Sequence, residues 1–202
     1  MKKILTILIL ALATVSASAQ FRYGATVGAV ISNLHFKQDL IDVSRNVGPE
    51  LGVQGEMMFP GIGFGLDIGL LYQMRGAHVN LGQKEIWASQ GFGKENVMLH
   101  NITIPLDLRF KWTRMNGLED YVAPYVFGGP VFSFNAGGSC GDAFKFAGGD
   151  LGIQTGFGLE LLKRWQIQAA YNWGMTYSLK TRLLDDFSAR SRYWSVRVVR
   201  FF

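Results

Sequence analysis

The sequence predicts an all-β fold, an eight-stranded antiparallel up-and-down transmembrane β-barrel. Three observations carry that expectation. Apolar and polar residues alternate with period two along eight segments, the connections between them are by turns long and short, and aromatic residues gather at both segment ends. Successive side chains of a strand point to opposite faces, so strict alternation means one apolar and one polar face.

The chain opens on MKKILTILILALATVSASAQ. Lys2 and Lys3 form a positive head and Ile4 to Val15 an apolar run too short to span a bilayer. Ala17-Ser18-Ala19 is a small-x-small cleavage site. We read residues 1–19 as a secretory signal peptide and 20–202 as one barrel domain. A lipoprotein anchor would need a cysteine at the cut, where Gln20 stands. After Ala19 no apolar run reaches the ~20 residues of a membrane helix. The hydrophobic content is nevertheless 49%, as in a barrel whose membrane signal is spread over alternating strands. Cys140 is the single cysteine, so no intramolecular disulfide can form in this exported chain. The surplus of Lys and Arg over Asp and Glu is +5, and smaller still without Lys2 and Lys3. That is too mild to argue for nucleic acid.

The eight segments lie near Phe21–Ser32, Val47–Phe59, Ile62–Arg75, Val97–Trp112, Tyr121–Phe134, Gly148–Leu161, Trp165–Tyr177 and Arg192–Phe202. The fourth shows the pattern plainly. Ile102, Ile104, Leu106, Leu108, Phe110 and Trp112 alternate with Thr103, Pro105, Asp107, Arg109 and Lys111. In the third, Ile62 to Met74 on one parity oppose Gly63, Gly65, Asp67, Gln73 and Arg75. In the seventh, Trp165, Ile167, Tyr171 and Trp173 oppose Gln166, Gln168 and Asn172. The fifth, YVAPYVFGGPVFSF, is ambiguous, and its prolines and paired glycines predict a bulge or kink.

Residues 33–46, 76–96, 135–147 and 178–191 form the long connections, against Pro60-Gly61, TRMNGLED (113–120) and LKR (162–164). Short periplasmic turns and longer outside loops are the plan of an outer-membrane barrel, which puts both termini in the periplasm. Tyr23, Phe59, Phe64, Phe110, Trp112, Tyr121, Trp165 and Phe202 then mark one interface. Tyr72, Phe132, Trp173, Tyr177 and Trp194 mark the other. Rings with an apolar body and a polar tip suit the boundary between water and lipid. The apolar face therefore looks into lipid and the charged face inward.

Parity places Arg22, Glu56, Asp67, Arg75, Asp107, Arg109, Lys111, Glu160 and Arg197 in the lumen. Gln54, Gln73, Gln154, Gln166 and Gln168 complete a hydrogen-bonded network. Buried charges persist only when paired, so a mixed-sign set suits a filled barrel. For Arg109 the expected partners are Asp107 or Glu160. Inward glycines (Gly24, Gly28, Gly63, Gly65, Gly152, Gly156) leave room for long arginines.

The run from ITIPLDLRFKW through YVAPYVFGGPVFSF to DLGIQTGFGLELLKRWQIQAAYNWGMTY resembles the PorT-like, porin-family outer-membrane β-barrels of Bacteroidetes-type bacteria. The shared marks are an IPL-x-L-R/K-aromatic strand, a P-Y-x-x-x-G-P strand and a D-x-G-x-x-x-G-x-G-L-E strand, in that order. The resemblance implies an outer-membrane location and a barrel, not an activity. Phe202 resembles the terminal aromatic read by the barrel insertion machinery; Val198, Val196 and Trp194 share its face, and Arg200 interrupts the series.

These features predict an outer-membrane protein with a plugged polar lumen and a structural or interaction role. Its long outer loops, LHFKQDLIDVSR and LKTRLLDDFSARSR among them, are suited to a protein or surface ligand in adhesion, sensing or secretion. The alternatives are a small porin-like channel and a lipid-A-modifying enzyme. The enzyme would need His-x-Ser, but two residues after His35, His78 and His100 stand Lys37, Asn80 and Ile102. We expect no catalysis, no cofactor and no metal, three scattered histidines being a poor ligand set. Neither GIGFGLDIG nor GFGLEL contains the G-x-G-x-x-G of a phosphate loop. A lipocalin-type soluble barrel would reverse the parity, apolar inside and polar outside.

Overall fold

A computed structural model describes residues 20–36, 42–59, 61, 63–80, 94–139, 144–146, 148–181 and 188–202. The expected signal peptide and Cys140 lie outside them. The strands are β1 (Gln20–Phe36), β2 (Asp42–Met58), β3 (Phe64–Asn80), β4 (Lys94–Lys111), β5 (Val122–Ser139), β6 (Phe144–Phe146), β7 (Gly149–Leu161), β8 (Trp165–Thr181) and β9 (Ser188–Phe201). Each long strand pairs antiparallel with its neighbour around the ring, β5 with β7 and β8 with β9. The ring closes between β1 and β9, from Gly24↔Phe201 to Phe36↔Ala189. Eight strands thus form a closed up-and-down barrel, which leaves no open edge in the wall.

The short β6 was not expected from the sequence; among the described residues it pairs with the far end of β8, Phe144↔Thr181 to Phe146↔Leu179. A 3-10 helix, Leu118–Asp120, fills the turn between β4 and β5. Glu119 holds that turn by accepting from the Met115 and Gly117 amides.

Most strands run past their expected outer ends. β3 reaches Asn80 and β4 begins at Lys94, paired with each other there. β1 continues to Phe36 and β2 starts at Asp42. Residues expected in long connections, such as 33–36, 42–46 and 76–80, are therefore strand. Alternation marks only the part of a strand with lipid on one side. Above that band both faces meet water, and backbone pairing continues without an apolar signature.

The expected irregularity of the fifth segment is absent from its Gly-Gly-Pro stretch. Pairs Leu108↔Gly128 and Pro105↔Val131 keep one register across it, and β5 pairs with β7 without a break. Glycine is required at Gly129 because the backbones approach closely; an added Cβ would collide with the Leu106 carbonyl oxygen. Register shifts lie elsewhere, at His100/Asn101, between Arg45 and Glu50, and between Trp173 and Leu179 in the β8–β9 ladder. Pro49, which has no N–H to give a ladder, sits within the second.

Facing follows the parity of the sequence. Phe21, Tyr23, Val27, Leu51, Val53, Leu66, Ile68, Leu70, Leu106, Leu108, Phe157 and Ile167 are exposed on the outside. Among the described residues, the fully buried side chains include Arg109, Gln166, Gln168, Glu50 and Glu56. Tyr23, Phe64, Trp112, Tyr121, Trp165 and Phe202 ring one end; Tyr72, Phe132, Trp173 and Trp194 ring the other, all exposed. The Tyr177 side chain lies outside the described residues. Replacing Leu106 by arginine puts a charge on the lipid face. We expect Leu106→Arg to destabilise the folded barrel by about 2–4 kcal/mol near the bilayer midplane, measured by urea unfolding in lipid vesicles.

Candidate functional site

Antiparallel register brings three inward carboxylates into one row. Glu56 on β2 is opposite Asp67 on β3, which is opposite Asp107 on β4. Like charges directly opposite destabilise a sheet unless cations separate them. Arg109, two residues from Asp107 on the same face, supplies one. Its side chain is fully buried and reaches diagonally, with Nη1 2.6 Å from Glu56 Oε2 and Nη2 2.5 Å from Asp67 Oδ2. Nε also donates to Asp67 Oδ2, and Nη2 to Gln166 Oε1 at 3.0 Å. Its guanidinium carbon lies 4.0 Å from the Tyr125 ring centroid. The Tyr125 hydroxyl donates to the same Gln166 oxygen at 3.1 Å.

This corrects the partners expected for Arg109. Asp107, on its own strand, points parallel to it and is served instead by Gln154 Nε2 at 2.5 Å. Glu160 belongs to a layer nearer the termini. There Lys111 Nζ is 3.1 Å from Glu160 and 3.3 Å from Glu56. Arg22 Nη2 is 2.5 Å from Glu160 and 2.6 Å from Glu56. Gln166 Nε2 donates to both carboxylates. Arg22 Nη1 also donates to the Lys163 carbonyl at 2.7 Å. The turn there holds Leu162 and Lys163 at φ 51 and 59, a conformation costly for non-glycine residues.

Toward the other end the network loosens. Arg75 pairs with Asp150 and Arg197 with Glu50, both at 3.6 Å. Arg75 lies over the Tyr193 ring, 4.8 Å from its centroid. Gln73 donates to Glu50 at 2.9 Å and Gln168 to Gln54 at 3.2 Å. Each of the nine charged residues expected in the lumen faces inward, and each makes at least one ion pair or hydrogen bond.

Glu50, Asp150, Tyr125, Phe127 and Tyr193 belong to the lumen without having been singled out. Glu50 and Asp150 carry the same parity as Glu56 and Glu160, and that signal finds them. The two β5 aromatics fill space opened by glycines across β7. A Cβ on Gly156 would sit 2.5 Å from Phe127 Cζ, and one on Gly158 would collide with the Tyr125 ring. Gly156, expected to make room for an arginine, thus makes room for a ring, and so does Gly158.

At the mouth beside the termini, Arg22, Lys111 and Glu160 floor a cavity of about 470 Å³. Lys163 at its rim is held 2.6 Å from Asp120, a hydrogen bond that raises the ammonium above its usual range. Among the described residues no group of three His, Cys, Asp or Glu is placed to hold a metal. His100 faces outward and shares a 2.6 Å hydrogen bond with Tyr72; the side chains of His35 and His78 lie outside the described residues.

A closed barrel with this inverted wall agrees with the sequence comparison. The profile of the family described as outer membrane protein beta-barrel domain matches residues 16–180. The chain belongs to that family. It is an outer-membrane β-barrel protein, and membrane lipid is its surroundings. No curated protein matches it. Among solved structures it is similar to the outer membrane protein OprG from Pseudomonas aeruginosa, at 14% identity over 90% of this chain and 94% of that one, with a TM-score of 0.51. It is also similar to Ail of Yersinia pestis, the attachment invasion locus protein crystallised with the heparin analogue sucrose octasulfate (12% identity, 91% and 99% covered, TM-score 0.47). Neisserial surface protein A is a third (13% identity, 89% and 97% covered, TM-score 0.49). At such identity OprG speaks for the fold alone.

Removing one partner from the buried network leaves an uncompensated charge. Arg109→Met is expected to destabilise this outer-membrane barrel by about 3–5 kcal/mol, read from urea unfolding in vesicles. Adding Asp67→Asn to that variant should recover part of the loss, since Arg109 is the cation that pairs with Asp67 among the described residues.

Proposed function

We propose that this protein is a plugged outer-membrane barrel with a structural or interaction role, of the PorT-like, Bacteroidetes type, without catalytic activity. Both termini lie in the periplasm. Phe202 serves as the aromatic end for the insertion machinery, and a protein or surface ligand engages the outer connections. The observation that carries the plugged lumen is the cross-barrel network of Arg22, Lys111 and Arg109 on Glu56 and Glu160, its ion pairs at 2.5–3.3 Å. An eight-stranded barrel is only wide enough for side chains to fill. A mixed-sign lumen also lacks the one-sign ring that selects ions.

The looser half of the lumen, with its 3.6 Å pairs, is what favours the second reading, a narrow porin-like channel. Conductance of the refolded monomer in a planar bilayer separates the two. We expect no steady current; long-lived ohmic channels from verified monomer would establish the channel reading instead.

A further inference from the structure

The lipid-facing wall is not uniform. Between the outward side chains of β7 and β8, in the half away from the termini, runs an apolar groove of about 460 Å³. Ile153 and Thr155 form one side, Tyr171, Trp173 and Met175 the other, and Gly174 contributes to its floor. Trp173 is 55% exposed and is opposite Arg192 of β9 in register. The Arg192 guanidinium lies over the Trp173 ring, 5.3 Å from its centroid. Its Nε is shielded from solvent and has no hydrogen-bond partner. Trp194, against Tyr171 with ring centroids 5.1 Å apart, extends the aromatic surface toward β9.

An arginine laid over an indole at the level of the aromatic belt calls for an anion, and the groove that the same indole lines calls for a hydrocarbon chain. A guanidinium binds phosphate through charge-assisted, fork-shaped hydrogen bonds. An indole at the interface packs against both chain and headgroup. An arginine elsewhere on the wall shows the contrast. Arg200, at the terminal end, lies between Trp165 and Phe202, 5.5 and 5.7 Å from their centroids, and neither of those rings lines a described groove of the wall, whereas Trp173 does.

We propose that Arg192, Trp173 and the β7–β8 groove form a seat for a phosphorylated glycolipid of the outer leaflet. The phosphate lies on Arg192 and an acyl chain lies between Ile153 and Met175. This rests on the proposed orientation, which puts Arg192 at the outer leaflet. Trp173 is the wall common to the two halves of the seat, so loss of its ring damages both.

The test is native mass spectrometry of the full-length mature chain, refolded in neutral detergent and titrated with diphosphorylated lipid A. We expect retention of one lipid, weakened about tenfold by Arg192→Gln, the loss of a charge-assisted phosphate contact. Trp173→Leu should weaken it as well. Arg45→Gln, an exposed arginine on β2, which β1 separates from β9, should leave it unchanged. Unaltered affinity in Arg192→Gln would overturn the seat, and so would equal affinity for phosphatidylglycerol. Biotinylation on intact cells of a tag placed between 81 and 93 reads the orientation separately. A labelled tag without lipid A binding overturns the seat alone; an unlabelled tag overturns the outer-leaflet assignment at its root.

Discussion

The Arg109 guanidinium is the interaction on which the interior depends. Three strands of one small barrel deliver Glu56, Asp67 and Asp107 to the same row, an arrangement repulsive by itself. Arg109 turns two of them into an ion-paired unit, and the Tyr125 face and Gln166 oxygen complete its surroundings. Each piece makes a demand on the sequence elsewhere. Tyr125 needs Gly158 across the ladder, and Gln166 needs its amide free to reach Glu56 and Glu160. Lys111 and Arg22 must neutralise what remains of those two carboxylates. Charges this deep persist because they are paired, although Asp67 Oδ1 and Asp107 Oδ1 are buried without a hydrogen-bond partner.

That interior is the counterpart of the wall. Lipid on the outside removes any advantage in burying leucines, so the apolar parity goes out and the polar parity in. The backbone then has to satisfy itself, which the closed ring does. Interior packing is correspondingly mixed. Aromatic rings from β5 fill glycine niches beside the ion pairs, giving the lumen side-chain contact where arginines alone would leave gaps.

Much of this was legible from alternation. The strand number, the facing of Leu106 and Arg109, and the inward position of nine charged residues all follow from a period of two. Pairing partners do not. Which carboxylate meets Arg109 depends on register between strands, which alternation alone does not set. The β5 aromatics were hidden because YVAPYVFGGPVFSF has large apolar residues on both parities. Strand ends were hidden too, since pairing such as Asn80↔Lys94 continues where no lipid imposes alternation. Residues 1–19 and Cys140 stay matters of sequence alone.

The inverted wall is tested most directly on β4. Single cysteines at positions 102 to 111, labelled with a fluorophore and reconstituted with spin-labelled lipid, report which side chains meet hydrocarbon. Even positions from Ile102 to Phe110 should be quenched, and odd positions from Thr103 to Lys111 should be protected. Equal quenching on both parities, or quenching confined to the odd positions, would contradict a charged lumen enclosed by a lipid-facing apolar wall.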